Sequence, residues 1–343
     1  MREFAFEMAL CATLESENRI GDGGSENGNS GTIVSRQLGA STSGRRVLDV
    51  LTVTPGPAFD TRTQITAQSI PDAAIAADVG VGRARFWKDC FDCHPDRARA
   101  AVNRALEIGF FESERRNGRT YIRQTARYPD WFGSLRAIEN KPDLDRPGDL
   151  QSQLRTDVSL AVCDEVILAT ASYVTGAHLN RIPEQVGVWR FDPETGTREV
   201  IREPERLSSG PGIEILEEQP DRTKITVVSH KEKRRLRRRL AERAYGKGWR
   251  VEFPACPHVE NTDIAGVDGI PYCARKERIV RPADACDCPS GHDADGHSAV
   301  DLDAIRETHS PWVRSPTTIT TKQTEIGRFS EPYTSSRSEK SLR

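Results

Sequence analysis

Apolar positions along the chain alternate between two periods, and the alternation predicts an α/β architecture. Phe4, Phe6, Leu10 and Leu14 space a helix over Arg2–Glu15, and two strand-like runs follow, Ile33–Ala40 and Arg46–Thr54, turned by Ser41-Thr42-Ser43-Gly44. Later comes a strand through Ala137–Lys141. It leads to a helix over Gly148–Val162 with Leu150, Leu154, Val158 and Val162 on one stripe, and to a strand over Glu165–Ala169. Val186–Phe191 and Arg198–Glu203 then read as a hairpin around Asp192-Pro193-Glu194-Thr195-Gly196. Between the two halves, Asp72–Val79, Arg83–Phe91 and Arg97–Ile108 predict three short helices. Strand-like arms Phe110–Glu114 and Thr120–Gln124 flank Asn117-Gly118, a hairpin turn signal. Further on, Ser229 with Glu232 is a capping box that starts a helix over Lys231–Tyr245, with Leu236, Leu240 and Ala244 stacked along it. Ser16–Gly31 reads as a loop and Ser315–Arg343 as a disordered tail.

Two of the apolar runs carry an acid. Asp49 lies in Val47-Leu48-Asp49-Val50-Leu51 and Glu139 in Ala137-Ile138-Glu139-Asn140-Lys141. Burying a carboxylate costs several kcal/mol unless a cation or donor compensates it, and a divalent metal would compensate both. With the period of two of a strand, Val47, Asp49, Leu51 and Val53 share one face, and Ala137, Glu139 and Lys141 share a face of the other strand. Both acids are therefore expected to point inward. The competing view is an exposed strand with ordinary Glu/Lys alternation, in a chain whose charged fraction is 29%.

Composition narrows the rest. The 343 residues suffice for one sizeable core and smaller modules. Lys+Arg number 49 against 51 Asp+Glu, a net charge of −2, so any nucleic-acid binding rests on local patches rather than on a global basic excess. No run is apolar enough for a membrane span and no signal-peptide layout opens the chain, so the sequence predicts an intracellular, cytoplasmic protein without membrane contact. In that compartment 8 cysteines point to thiols or metal ligands rather than disulfides.

With these elements in this order, the chain resembles the PD-(D/E)XK nuclease superfamily, in particular its RecB-type and CRISPR-associated exonuclease branches, over roughly residues 1–55 and 127–205. Glu139-Asn140-Lys141 matches E-x-K, and Gln153 sits where the following helix of these exonucleases carries a glutamine. Gly44-Arg45-Arg46 precedes Asp49 as in their G-R-x-x-D strand, Pro129-Asp130 supplies the literal dipeptide, and Glu7 matches the assisting glutamate of the first helix. Asp157 stands four residues after Gln153, where the exonucleases have Tyr. The whole chain is also similar to an uncharacterised haloarchaeal protein family, a likeness that carries no activity with it. The resemblance implies a restriction-endonuclease-like core, an αβββαβ-type mixed sheet. It further implies Mg²⁺- or Mn²⁺-dependent hydrolysis of DNA, with Asp49 and Glu139, or Asp130, as metal ligands, Lys141 serving the attacking water, and Gln153 and Glu7 in support. Carboxylates on a divalent ion both generate the nucleophile and neutralise the phosphate, and a lysine can stabilise the pentavalent centre.

The remaining segments divide into modules. Residues 1–55 and 127–205 make the core. Residues 56–126 read as an inserted winged helix, with Arg97 on its recognition helix and Arg115, Arg116 and Arg119 on its wing, for phosphate contact or for protein contact. Residues 206–250 form a basic helical segment whose Arg234, Arg235, Arg237 and Arg238 are candidate phosphate contacts. Residues 251–300 hold Cys256, Cys273, Cys286 and Cys288 with His258, His292 and His297. That turn-rich, Cys/His-rich stretch predicts a structural metal, zinc by default. The nuclease resemblance adds a [4Fe–4S] alternative with Cys11 as upstream ligand. Residues 301–343 are expected to be largely disordered. Two other function classes fit the same residues: a non-catalytic DNA-binding or assembly protein on this scaffold, and a structural metal-binding adaptor.

Overall fold

The computed structural model describes residues 2–20, 31–40, 46–219, 221–254, 256–282 and 300–312. Its first helix, α1 (Glu3–Ile20), runs past Glu15, where the apolar spacing ends, into the residues expected to form a loop. Phe4, Phe6, Met8, Leu10, Cys11 and Leu14 are all buried, so α1 is an interior helix rather than an amphipathic surface one. Strands β1 (Ile33–Gly39) and β2 (Val47–Pro55) form the expected antiparallel pair.

The insertion that follows departs from three helices. It contains α2 (Phe59–Thr63), α3 (Asp72–Ile75), a short strand β3 (Arg85–Phe86) with one 3-10 turn over Trp87–Asp89, α4 (Pro95–Glu107), β4 (Phe111–Arg116) and β5 (Arg119–Gln124). The expected helix over Arg83–Phe91 is absent because Arg85 and Phe86 pair with Ile122 and Tyr121, a tertiary pairing that overrides local propensity. The Asn117-Gly118 turn does form, with both residues at positive φ (48° and 75°), as a two-residue hairpin of this twist requires. Ile70, Ala74, Val102, Phe110, Phe111 and Ile122 give the insertion a core of its own.

The chain then returns to the first sheet with β6 (Phe132–Asn140), crosses over through α5 (Leu150–Leu160) to β7 (Glu165–Thr170), passes α6 (Gly176–Leu179), and ends the sheet with β8 (Gly187–Asp192) and β9 (Thr197–Arg202). The six strands lie in the order β1-β2-β6-β7-β8-β9. β6, β7 and β8 run parallel, as the helical crossover requires, and the outer pairings are antiparallel. The sheet is therefore mixed and the fold α/β. On one face α1 packs against Val50, Ile138, Ile167 and Trp189. On the other, Leu51, Val53, Leu135, Leu154, Leu168 and Leu240 form the second core.

Residues 206–250 are not helical throughout. A hairpin, β10 (Gly212–Glu218) and β11 (Thr223–Val228), precedes the helix α7 (His230–Lys247), whose Ser229/Glu232 capping box is formed as the sequence predicts. Lys233, Leu236, Leu240, Ala241, Glu242, Ala244 and Tyr245 are buried, so α7 is a core helix with one exposed side rather than a mostly solvated rod. It packs along the edge strand β1, and Gly246 admits Ser69, whose Oγ would lie 2.2 Å from any added Cβ. A three-stranded sheet, β12 (Val259–Ile264), β13 (Val267–Cys273) and β14 (Arg278–Ile279), covers α1, and α8 (Leu302–His309) closes the described chain. No helix among the described residues is long and apolar enough to cross a membrane. The expected tail, Ser315–Arg343, lies outside the described residues.

Candidate active site

β2 and β6 pair with Val50 opposite Ile138 and Leu51 opposite Ala137, so the next positions along the ladder are Asp49 and Glu139. The two acids thus meet at one end of the central sheet, but they do not share a face. Gln37, opposite Asp49 in β1, has φ +53°, a left-handed backbone inside a strand. Pairing is regular at Arg36–Val50 and Leu38–Leu48 and skips between them. Beyond this point the alternation of β2 changes phase: Leu48 joins the core on the α5 side, while Asp49 turns toward α1. The expectation that Asp49 points the same way as Leu51 and Val53 fails for this reason.

On the α1 side a cleft of about 540 Å³ is lined by Glu3, Glu7, Arg36, Gln37, Asp49 and Asn140. Asp49 accepts the backbone N–H of Asn140 (3.0 Å) on one oxygen and the Gln37 amide (3.3 Å) on the other. Glu7, 3% exposed, accepts from Arg36 Nε (2.5 Å), from Gln37 Nε2 (3.2 Å) and from Asn140 Nδ2 (3.2 Å). Because the Asn140 amide nitrogen faces a carboxylate, its oxygen is fixed on the other side. There Oδ1 is buried and has no hydrogen-bond partner among the described residues. A buried acceptor left unsatisfied is costly and calls for a ligand or water.

Glu139 turns the other way. Arg46 Nη2 donates to Glu139 (2.6 Å) and to Asp157 of α5 (2.5 Å), and Arg46 Nε adds a second bond to Asp157 (2.8 Å). Burial opposes the Arg46 charge, but the hydrogen bonds and charges of Asp157 and Glu139 outweigh it and hold the guanidinium protonated. The acids feel their crowding. Burial, aided by the charge of Glu7 and opposed by the Asn140 hydrogen bond, pushes Asp49 up to about 6. Burial and the charge of Asp49 push Glu139 up to about 7, against the pull of Arg46. Asp157 is raised by burial as well.

Lys141 follows the last residue of β6, so the period of two no longer binds it. Its ammonium lies 3.9 Å from Glu3 on the α1 side, away from Glu139. Gln153 is half-buried on α5, one turn before Asp157, and it is Asp157 that reaches the acid cluster. Asp130 is exposed, nine residues before Glu139, or about 30 Å along an extended strand. It lines a different cleft with Tyr128 and Arg234. The structure therefore gathers Glu7, Asp49, Glu139 and Lys141 at one sheet end and leaves Asp130 out. Arg36, Gln37, Arg46, Asn140 and Asp157 complete the cluster without having been named as site residues. Asn140 carried a usable signal, a polar amide inside the same apolar run that singles out Glu139.

The donor chemistry suits a hard divalent cation, with carboxylates and one orphaned amide oxygen. Its geometry is open: among the described residues no group of three or more His, Cys, Asp or Glu side chains is disposed to hold a metal ion. That holds for the cysteines too. Cys256 and Cys273 share a small core with Val259 and Val280, whereas Cys11 is buried in the α1 core. Burial and Glu7 push the Cys11 thiol well above its ordinary value. Cys286, Cys288, His292 and His297 lie outside the described residues.

The basic candidates divide into paired and free. Arg235 and Arg238 both hold Asp72 (2.6 and 2.7 Å), and Arg237 holds Asp164 (2.7 Å) and the Val162 carbonyl (2.7 Å). Arg116 pairs with Glu114, and Arg119 stacks over Phe86. Arg97, Arg115 and Arg234 are exposed.

Comparison with curated proteins and with solved structures returned no match. The model of one protein family, described as a family of unknown function (DUF5787), matches residues 33–293. Those residues take in the acid cluster except for α1, and by that match the chain belongs to this family.

Proposed function

We propose that the chain is a metal-dependent nuclease of the PD-(D/E)XK class that hydrolyses DNA phosphodiester bonds at the Glu7–Asp49–Glu139 end of the sheet. The observation that carries the reading is the meeting of Asp49 and Glu139 across adjacent strands, where burial raises both acids, the charge of Asp49 raises Glu139 further, and Asp49 lines an open cleft. Carboxylates held this close store repulsion that a divalent cation relieves. The order α1-β1-β2-β6-α5-β7 agrees with a restriction-endonuclease-like αβββαβ core, and the β3-β5-β4 sheet behind α3 and α4 agrees with a winged helix. Mg²⁺ or Mn²⁺ would be held by Asp49 and Glu7 in the cleft, and Glu139 would join them only by leaving Arg46 and turning from the α5 side of the sheet. The bound ion would supply a nucleophilic water and neutralise the phosphate. Lys141, beside the cleft residue Glu3, would meet the phosphate as a cation, and in the resting protein Arg46 holds Glu139 and Asp157 in place.

A nuclease assay on single- and double-stranded DNA with Mg²⁺ or Mn²⁺ tests the reading. Asp49→Asn, Glu139→Ala and Lys141→Ala should each lower cleavage at least a hundredfold, on the order of 3 kcal/mol of transition-state stabilisation, in proteins that remain folded. Normal cutting by Asp49→Asn with a dead Asp130→Asn would move the metal to the other acid. Wild-type cleavage by both Glu139→Ala and Lys141→Ala would end the nuclease reading.

The Arg46 bridge favours a second reading, a DNA-binding or assembly protein that keeps this scaffold without catalysis, since an arginine already compensates Glu139. DNA binding with no cleavage under any divalent ion would select it. For the C-terminal segment we retain a structural metal, zinc or [4Fe–4S], on Cys256 and Cys273 with Cys286 and Cys288. Elemental analysis of anaerobically purified protein showing neither zinc nor iron would return these residues to ordinary thiols.

A further inference from the structure

The exposed side of α7 carries a basic residue every fourth position: Arg235, Arg239, Arg243 and Lys247. Residues four apart on a helix are neighbours on one face, so these side chains form a single row along the helix. Its two ends are tied down. Arg235 is held by Asp72 (2.6 Å), and Lys247 donates to the backbone carbonyl of Gln37 (2.8 Å), the residue that touches Asp49. The middle is free. Arg239 and Arg243, joined by Arg97 from α4, line a groove of about 390 Å³ between α4 and α7, and none of the three has an ion pair or hydrogen bond among the described residues. The acids in that groove are already spoken for, Asp72 by Arg235 and Arg238 and Glu242 by Arg62. Burial and the charge of Arg243, then those of Arg97 and Arg235, press Arg239 below its ordinary value despite Asp72. Three unneutralised guanidiniums in a groove are a standing demand for anionic oxygen.

We infer that the α4/α7 groove binds the phosphates of one extended single strand of nucleic acid and delivers it along β1 to the acid cluster. Position fits this assignment: Arg243 lies against Gly39, whose added Cβ would stand 3.6 Å from its guanidinium, and Gln37 is two residues further along the strand. Spacing selects the form of the strand. Four helical residues rise ~6 Å, a spacing along which the row can follow the successive phosphates of one strand, and a groove of about 390 Å³ admits one backbone rather than a duplex. The inference rests on the nuclease reading for its destination and on the groove alone for binding.

The test is binding of a fluorescent oligothymidylate, and of a duplex of equal length, to the full chain in EDTA over a range of salt. The triple variant Arg97→Ala/Arg239→Ala/Arg243→Ala should lose at least tenfold in affinity for the single strand. Its salt slope should fall by about 2, the counterion release of three phosphate contacts on a single strand. The matching triple Lys variant should keep most of that slope, which a merely structural role would not restore. Wild-type protein that binds no oligonucleotide, a triple Ala variant with unchanged affinity and slope, or a preference for duplex would each overturn the inference. Binding is read without metal, so loss of the track and loss of catalysis are scored separately: a protein that binds through these arginines and never cuts refutes only the nuclease reading.

Discussion

Glu242 and Glu139 are both carboxylates buried against an arginine, and they are served very differently. Glu242 receives Arg62 through two nitrogens, the Tyr128 hydroxyl (2.8 Å) and the Ile70 N–H (3.0 Å). Arg62 spends its remaining donors on the Thr66 and Gln68 carbonyls (2.7 and 2.9 Å) and lies over the Tyr245 ring. Every charge there has its complement. At the other cluster Arg46 is shared between Glu139 and Asp157, the charge of Asp49 raises the buried Glu139, and the Asn140 oxygen accepts no hydrogen bond among the described residues. A closed network ties α2 and α7 together, whereas an unfinished one faces a cleft. The contrast separates buried charge whose partners are complete within the fold from buried charge whose partners are not.

The largest effect should come from breaking the closed network. Glu242→Ala strands Arg62 without compensation and should cost about 3–5 kcal/mol in urea unfolding. A loss as large from Glu139→Ala would erase the distinction between the clusters. Arg46→Met should cost less, about 1–3 kcal/mol at pH 8, because the raised carboxylates it leaves behind can take up protons. That loss should shrink by pH 5; a pH-independent cost would show that Arg46 acts through packing alone.

Asp49→Asn should go the other way. Its carboxyl is raised in the folded protein to about 6, so the stability linked to its proton is fully present below the unfolded value near 4 and is lost as pH rises through about 6. The variant no longer suffers that loss and should be more stable than wild type by about 1–2 kcal/mol above pH 7 and equal to it near pH 4. Thermal melts across this range decide it, and a destabilised variant at pH 8 would mean the acid is structural. The smallest effect is Tyr128→Phe, which removes one of several donors to Glu242 and should cost about 1 kcal/mol; no change would mean that the network has donors to spare.

Much of the sheet was legible because its strands are long apolar runs and its turns carry their own signals. Asn117-Gly118 and the Ser229/Glu232 box were both read from local chemistry, which tertiary contacts do not override. What escaped depends on partners distant in sequence. The strand at Arg85–Phe86 exists only through Tyr121 and Ile122, and α1 is buried all round because β12–β14 cover the side its polar residues had seemed to leave to solvent. At the site, an acid inside an apolar run was enough to single out Asp49 and Glu139. Their directions were not, because they depend on a left-handed Gln37 that the sequence does not announce and on the end of the period at Asn140. The arginine run on α7 misled for a related reason. Density of charge is visible in a sequence, but whether each guanidinium is already paired is settled by Asp72 and Asp164, far along the chain.

The insertion between β2 and β6 also sets the order in which the molecule can assemble. Val53 pairs with Leu135, so the middle of the central sheet joins residues that are remote in sequence, and the loop-closure entropy of that contact must be met before the pairing gains anything. The intervening residues have their own core. If that unit collapses first, it draws Pro55 and Phe132 together and shortens the effective loop, so the acid cluster forms last, on a floor laid down by the inserted module. Substitutions in the Phe110–Ile122 core should then slow refolding of the whole chain, while changes at Asp49 and Glu139 should alter its unfolding rate and leave folding speed almost untouched.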